Sequence, residues 1–131
     1  MKDTVNSTII NPISVLDSRQ LNMLVSVAGD NAAELLQDLI KVYIEENTPY
    51  VEGLRPAIDA GDFFLAARRA HFIAGSSANM GGLRLSHLCS ALEMEASRAD
   101  AAHLLEMTAK IEEEFKSTII SIRKEIKKLT S

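Results

Sequence analysis

Residues Phe63 to Met80 read FFLAARRAHFIAGSSANM, and the fold is inferred outward from this segment. A Gly-Asp pair at 61 and 62 precedes it and supplies a stop signal for the preceding segment and an N-cap for the next. A Gly-Gly pair at 81 and 82 follows it. The sequence therefore predicts one helix from Phe63 to about Met80, closed by a brief glycine turn.

One face of this helix is predicted to be buried. At about 100° per residue, His71 lies about 140° from Ala66, which is on that face. His71 is therefore expected to point away from the core. The apolar and small residues that recur at helical spacing on the buried face are Phe63, Ala66, Ala70, Ile73, Ser77 and Met80.

The outward sector around His71 is predicted to be smooth and weakly apolar. Phe64, Ala67, Ala74 and Ala78 fall on it, where a purely solvated helix face would carry Glu, Lys or Arg. We expect these four residues to contact a partner.

Three further residues near His71 suit an anionic group such as a phosphoryl. Gly75 costs about 1 kcal/mol relative to alanine inside a helix, so close approach by another molecule is the expected compensation. Arg68 lies one turn before His71 and can offset negative charge, while the Ser76 hydroxyl can donate to an oxygen. Arg68, Gly75 and Ser76 are therefore predicted to stabilise a phosphoryl group.

The remainder of the chain predicts an all-α fold. It has 131 residues, 47% of them hydrophobic and only 5% aromatic, which favours one helical domain. Short connections between amphipathic helices favour an antiparallel four-helix bundle with a short N-terminal capping helix. The predicted domains are a flexible arm over 1–16 and a bundle domain over 17–131. Besides the helix that begins at Phe63, the bundle domain is predicted to contain a capped helix to residue 28, one kinked helix or two joined helices over 31–60, a helix over 83–99 and a long helix capped by Asp100.

Caps and stops define the boundaries of the second predicted segment. Asp30 is expected to cap its start, and Thr48 before Pro49 resembles a fresh N-cap with proline in the first helical position. Pro56 is expected to bend the helix that continues to Ala60.

Several function classes are excluded or disfavoured. The formal net charge of −4, with interspersed signs, disfavours nucleic acid as a partner. No stretch approaches the roughly 20 apolar residues that span a bilayer, and the first ten residues lack a signal-peptide run, so no membrane association and a cytoplasmic location are expected. Cys89, the single cysteine, is predicted to be a core residue.

No metal site or carboxylate pair is predicted. His87 and His103 have no second ligand at the spacing that a metal site needs, so both are assigned to the surface or a partly buried position. Glu93 and Glu95 are two apart and face different ways on a helix, and both are expected to be solvated surface charges.

The segment Ala70 to Glu93, AHFIAGSSANMGGLRLSHLCSALE, resembles the signature of histidine-containing phosphotransfer (HPt) domains. That family's pattern is Ala-His-x-Leu-Lys-Gly-Ser/Ala-Ser/Ala, a short stretch to Gly, then Leu-x-x-x-Cys-x-x-Leu-Glu. The resemblance extends over about residues 17–129. It implies a four-helix bundle in which His71 accepts a phosphoryl group from a receiver-domain aspartate of a two-component phosphorelay and passes it to another receiver.

The resemblance also implies the partners. Response-regulator receiver domains or a hybrid histidine kinase are expected, with no cofactor on this chain and Mg²⁺ held by the receiver. The chain is then a covalent phosphotransfer intermediate, not an enzyme, and is expected to be a monomer. One departure is Ala74, which stands where the family usually has lysine, three positions after the histidine.

Two alternatives remain open at this point. A helical adaptor could bind receiver or kinase domains through the same surface without carrying phosphate, and Ala74 is the best argument for it. The chain could also be the excised module of a hybrid kinase, although Met1 and the polar arm favour a free-standing protein.

Overall fold

The structure, a computed structural model, describes residues 14–131. Most of the predicted arm, residues 1–13, lies outside this range. The described part contains six α-helices and a 3-10 turn at Gly29–Asn31: α1 (Arg19–Ala28), α2 (Ala32–Glu52), α3 (Leu54–Asp59), α4 (Phe63–Asn79), α5 (Leu83–Glu95) and α6 (Ala101–Thr130).

Four long helices form the bundle. Helix α2 packs against α4, α4 against α5, α5 against α6, and α6 against α2, so each helix contacts its neighbours along the chain and the ring closes. Helix α1 covers one end by packing against α2 and α6. The predicted all-α four-helix bundle with a short N-terminal helix is confirmed.

Local capping explains where the site-bearing helix and the last helix begin. The Asp62 carboxylate accepts the Leu65 amide at 3.0 Å, and the Asp100 carboxylate accepts the His103 amide at 2.9 Å. Both were predicted N-caps. The predicted cap at Asp30 is wrong: Asp30 lies within the 3-10 turn, and Asn31 precedes α2 without a side-chain cap.

The interruption between α2 and α3 falls at Gly53, not at Thr48. Helix α2 continues through Pro49, and the Thr48 hydroxyl donates to the Ile44 carbonyl at 2.6 Å instead of capping a new helix. At Gly53 the carbonyl accepts the Arg69 guanidinium at 2.6 Å, and a Cβ at residue 53 would lie 2.7 Å from that guanidinium. The predicted two joined helices are thus observed, with the break three residues before Pro56 and the Gly53 carbonyl bound by a residue of α4.

The α4–α5 turn is anchored by the segment before α1. Gly81 has φ +83°, a conformation that glycine adopts at little cost, and its carbonyl accepts the Asp17 amide at 2.7 Å. A Cβ at Gly81 would clash with the Asp17 carbonyl oxygen, and one at Gly82 would lie 2.8 Å from the Thr118 methyl group. The turn thus has room only for glycine.

The core is built from leucine and isoleucine of every helix in the ring, including Leu36, Ile73, Leu92 and Ile111. Cys89 is fully buried among them, and burial raises the pKa of its thiol to about 12, so the predicted core role is confirmed. Within residues 14–131, none of the helices combines the length and apolar character needed to cross a membrane.

Candidate functional site

His71 lies near the middle of α4, between the neighbouring helices α2 and α5. Its side chain is 75% exposed, as its position opposite the buried stripe predicts. The Asp62 cap sets the start of α4, and the buried face of Ala66, Ala70 and Ile73 sets its rotation. His71 is therefore fixed on the outside of a helix whose other side is packed.

The imidazole of His71 is oriented by Glu93 of α5. Its Nδ1 is 3.1 Å from each of the two carboxylate oxygens of Glu93. A carboxylate can only accept, so Nδ1 carries the proton in this pair. In the neutral imidazole the remaining ring nitrogen, Nε2, then carries the lone pair, and it is directed away from Glu93 because the two nitrogens lie on opposite sides of the ring.

The prediction that Glu93 is merely a solvated surface charge is wrong. Spacing within one helix could not reveal its partner, which lies on the antiparallel neighbour. One signal in the sequence does indicate the pair: His71 and Glu93 are ten and twelve residues from Gly81, the centre of the α4–α5 turn, so two antiparallel helices bring them to nearly the same height. Glu95, by contrast, pairs with Arg98 at 3.0 Å and does not reach His71.

The outward sector around His71 differs from the prediction at one position. Phe64 is 73% exposed, Ala78 is exposed and Ala67 is partly exposed, as expected of an outward face. Ala74 is not: it is only 8% exposed, and its carbonyl accepts the Ser86 hydroxyl of α5 at 2.9 Å. Helix α4 is packed on two sides, so its buried sector is wider than a single stripe and includes Ala74.

Arg68 and Arg69 have different surroundings. The Arg68 guanidinium carbon is 5.8 Å from the centre of the Phe64 ring, a cation–π contact on the exposed face one turn before His71. The Arg69 guanidinium donates a hydrogen bond to the Gly53 carbonyl. Arg68 is therefore the arginine positioned to meet an anion at His71.

An aromatic pair on the α2 side of His71 was not predicted. The rings of Tyr50 and Phe72 stack with centroids 4.2 Å apart and an interplanar angle of 22°, and each residue is 37% exposed. Together with Phe64, Arg68 and His71 they line one open groove. The periodicity of α4 could not indicate this pair, because Tyr50 lies on another helix.

Two polar contacts join α4 to α2 beneath this surface. The Tyr43 and Ser77 hydroxyls are 2.7 Å apart, and Asn47 Nδ2 donates to Ser76 Oγ at 2.8 Å. Tyr43 and Ser77 are buried, and burial raises the pKa of Tyr43 to about 12. Ser76 is only partly buried, and with Gly75 and His71 it lines a second groove between α2 and α4.

The described residues contain no group of three or more His, Cys, Asp or Glu side chains that could hold a metal ion. His87 and His103 are both exposed on other helices. The chemistry available at this site is therefore that of one oriented imidazole with an adjacent carboxylate, arginine, hydroxyl and exposed aromatic surface.

Comparison with known proteins gives a consistent result. The profile of the Hpt domain matches residues 38–126. Among solved structures, the chain is similar to the crystal structure of histidine-containing phosphotransfer protein B (HptB) from Pseudomonas aeruginosa PAO1, with a TM-score of 0.73 and 27% sequence identity over 90% of this chain and 97% of that one. A search of curated protein sequences gave no significant match.

Proposed function

The chain belongs to the Hpt domain family and is a histidine phosphotransfer protein of a phosphorelay, and we propose that His71 is the residue that carries its phosphoryl group. The observation that supports this assignment is the contact between His71 and Glu93. An exposed imidazole whose Nδ1–H is held by a carboxylate presents Nε2 as a nucleophile.

The transfer step needs no general base on this chain. The Nε2 lone pair attacks the phosphorus of an aspartyl phosphate on a receiver domain, the N–P bond forms, and the acyl O–P bond breaks to leave the aspartate carboxylate. The phosphorylated imidazole retains the proton on Nδ1 and gains positive charge. The Glu93 carboxylate stabilises that charge and so favours the product.

Phosphoryl transfer depends mainly on positioning and on neutralising charge on the phosphoryl oxygens. We assign those roles to Arg68, which brings a guanidinium to the exposed face, to Ser76, which brings a hydroxyl, and to Gly75, which leaves space for close approach. Residue 74 is alanine, so this chain has no cation where the family usually has lysine. Arg68 is the cation that we expect to compensate.

The receiver domain is expected to dock on the exposed surface formed by Phe64, Ala67, Ala78 and the Tyr50–Phe72 pair. Response-regulator receivers, or the receiver of a hybrid kinase, are the partners we propose, and the receiver is expected to supply Mg²⁺. The chain itself then acts in the cytoplasm as a monomeric carrier and not as a free-standing catalyst.

The test is to incubate the chain with a phosphorylated receiver domain and Mg²⁺, and to look for acid-labile, alkali-stable label on it. We expect label on the wild type and none on His71→Ala, with His103→Ala as the matched control that retains full labelling. Binding of several receivers without any label on the wild type would contradict the carrier proposal and favour an adaptor.

A further inference from the structure

The amide of Asn47, in helix α2, is completely buried and its orientation is fixed by its neighbours. Its Nδ2 is 2.9 Å from the Tyr43 carbonyl oxygen and 2.8 Å from Ser76 Oγ. A carbonyl oxygen can only accept, so the atom beside it must be the NH₂ group. Both amide hydrogens are therefore used, one on Tyr43 and one on Ser76.

The Ser76 hydroxyl is consequently an acceptor on its buried side, and its own hydrogen is left for another partner. Serine and threonine in helices commonly donate to the carbonyl four residues earlier, as Thr108 and Thr118 do here. Within residues 14–131, no such bond is formed by Ser76, and none joins it to Glu46, the exposed acid that lines the same groove.

The groove into which Ser76 can donate is the one beside His71. His71, Gly75 and Ser76 all line it, together with Phe72 and Asn79, and a Cβ at Gly75 would meet nothing within 4 Å, so residue 75 leaves open space in the groove beside the imidazole. Glu93, on α5, holds Nδ1, which directs Nε2 away from the Glu93 carboxylate.

We propose that Asn47 is a positioning residue for phosphotransfer: it occupies the acceptor side of Ser76 Oγ, so that the Ser76 hydroxyl donates to a phosphoryl oxygen on His71. This inference rests on the proposed function of His71. The proposed role also gives a reason for keeping an unfavourable group in the core, since the buried Asn47 Oδ1 has no hydrogen-bond partner in the described structure. An apolar residue at 47 would remove that cost but would leave the Ser76 hydroxyl undirected.

The cross-link between Tyr43 and Ser77 provides a matched control. It joins the same two helices one residue further along α4, at a similar distance between its two polar atoms, but it is buried and does not line the groove. If the Asn47–Ser76 contact only held α2 against α4, losing either contact would affect the protein in the same way.

The experiment phosphorylates the full chain with phosphoramidate, a small phosphoryl donor that requires no receiver, and measures the half-life of the phosphohistidine at pH 7. Ser76→Ala is expected to shorten it about fivefold, the effect of losing one hydrogen bond to a charged group. Asn47→Ala is expected to shorten it in the same direction, because the freed hydroxyl can turn to the carbonyl one turn earlier. Combining the two changes should shorten the half-life no further than Ser76→Ala alone.

Ser77→Ala is expected to lower the melting temperature while leaving the half-life within about twofold of the wild type. A half-life unchanged in Ser76→Ala, or changed equally in Ser77→Ala, would overturn the proposal for this pair while leaving His71 as the carrier. An unchanged half-life in Asn47→Ala would overturn the role of Asn47. Failure of the wild type to form any phosphohistidine would instead count against the proposed function itself.

Discussion

Helix α4 contains one glycine, Gly75, one turn after His71, and it is followed by a turn with two more, Gly81 and Gly82. The two regions differ in what a side chain would meet. At Gly81 a Cβ would clash with the Asp17 carbonyl oxygen, and at Gly82 it would lie 2.8 Å from Thr118. At Gly75 it would meet nothing within 4 Å. The fold thus requires glycine at the turn and does not require it beside His71, where the open space fits the close approach that we propose for a partner.

The largest effect is expected from Gly81→Ala. Its φ of +83° and the close Asp17 carbonyl would both have to change, so we expect the free energy of unfolding to fall by about 3 kcal/mol or more. Denaturant unfolding measures this. Gly61→Ala is the control, because Gly61 has φ +76° with open space around it, and its cost should be only about 1 kcal/mol. Equal losses at the two positions would refute the steric part of the argument.

Removing the carboxylate beside His71 should affect transfer and not stability. Glu93→Ala is expected to slow phosphoryl transfer from a receiver at least tenfold, because Nδ1–H and the charge that develops on the ring lose their partner. The pair is exposed, so the free energy of unfolding should change by less than about 1 kcal/mol. Glu95→Ala, two residues away, is the control and should transfer at the wild-type rate; slowing in both variants would contradict a specific role for Glu93.

Gly75→Ala should change stability and transfer in opposite directions. Replacing a helical glycine that has open space around it should stabilise the fold by about 1 kcal/mol. A methyl group between His71 and Ser76 should nevertheless slow transfer about tenfold, because it obstructs the close approach of the receiver. Parallel measurements of unfolding and of transfer rate decide this. Wild-type transfer in a stabilised Gly75→Ala protein would show that the open space is not functional.

These results also show which features a sequence can predict. The beginnings of α4 and α6 were predictable because Asp62 and Asp100 act within three residues of themselves. A break within 31–60 was predicted too, because Pro56 lies in that segment, but its position at Gly53 was not, since Gly53 also contacts Arg69 sixteen residues away. Glu93 and the burial of Ala74 were missed for the same reason, since both depend on how α5 packs against α4. His71 was predictable because its exposure follows from the periodicity of its own helix.

The smallest effect is expected at Glu114, in α6. Its carbonyl accepts the hydroxyl of Thr118, the residue whose methyl group lies against Gly82 of the turn. Burial raises the pKa of the Glu114 carboxyl, with Arg84 nearby acting in the opposite direction. The folded protein therefore binds this proton more tightly than the unfolded chain, and the contribution of Glu114 to stability falls as pH rises from the ordinary glutamate value through the raised folded pKa.

Glu114→Gln should accordingly raise the free energy of unfolding at pH 7 by about 1 kcal/mol, because it replaces a carboxylate whose charged form is disfavoured by burial with a neutral amide. That advantage should disappear as the pH is lowered to about 4, where the wild-type side chain is also neutral. Thermal unfolding at several pH values measures it, and transfer through His71 should not change. An advantage that grows on acidification would contradict the assigned direction of the pKa shift.

The central claim is that Glu93 holds Nδ1 of His71 and leaves Nε2 to carry the phosphoryl group. The most direct measurement is a long-range proton–nitrogen correlation spectrum of the ¹⁵N-histidine-labelled chain before and after phosphorylation, which identifies each ring nitrogen of the three histidines. The account predicts that only His71 becomes phosphorylated, and on Nε2. Phosphorylation at Nδ1 of His71, or at His87 or His103 instead, would contradict it.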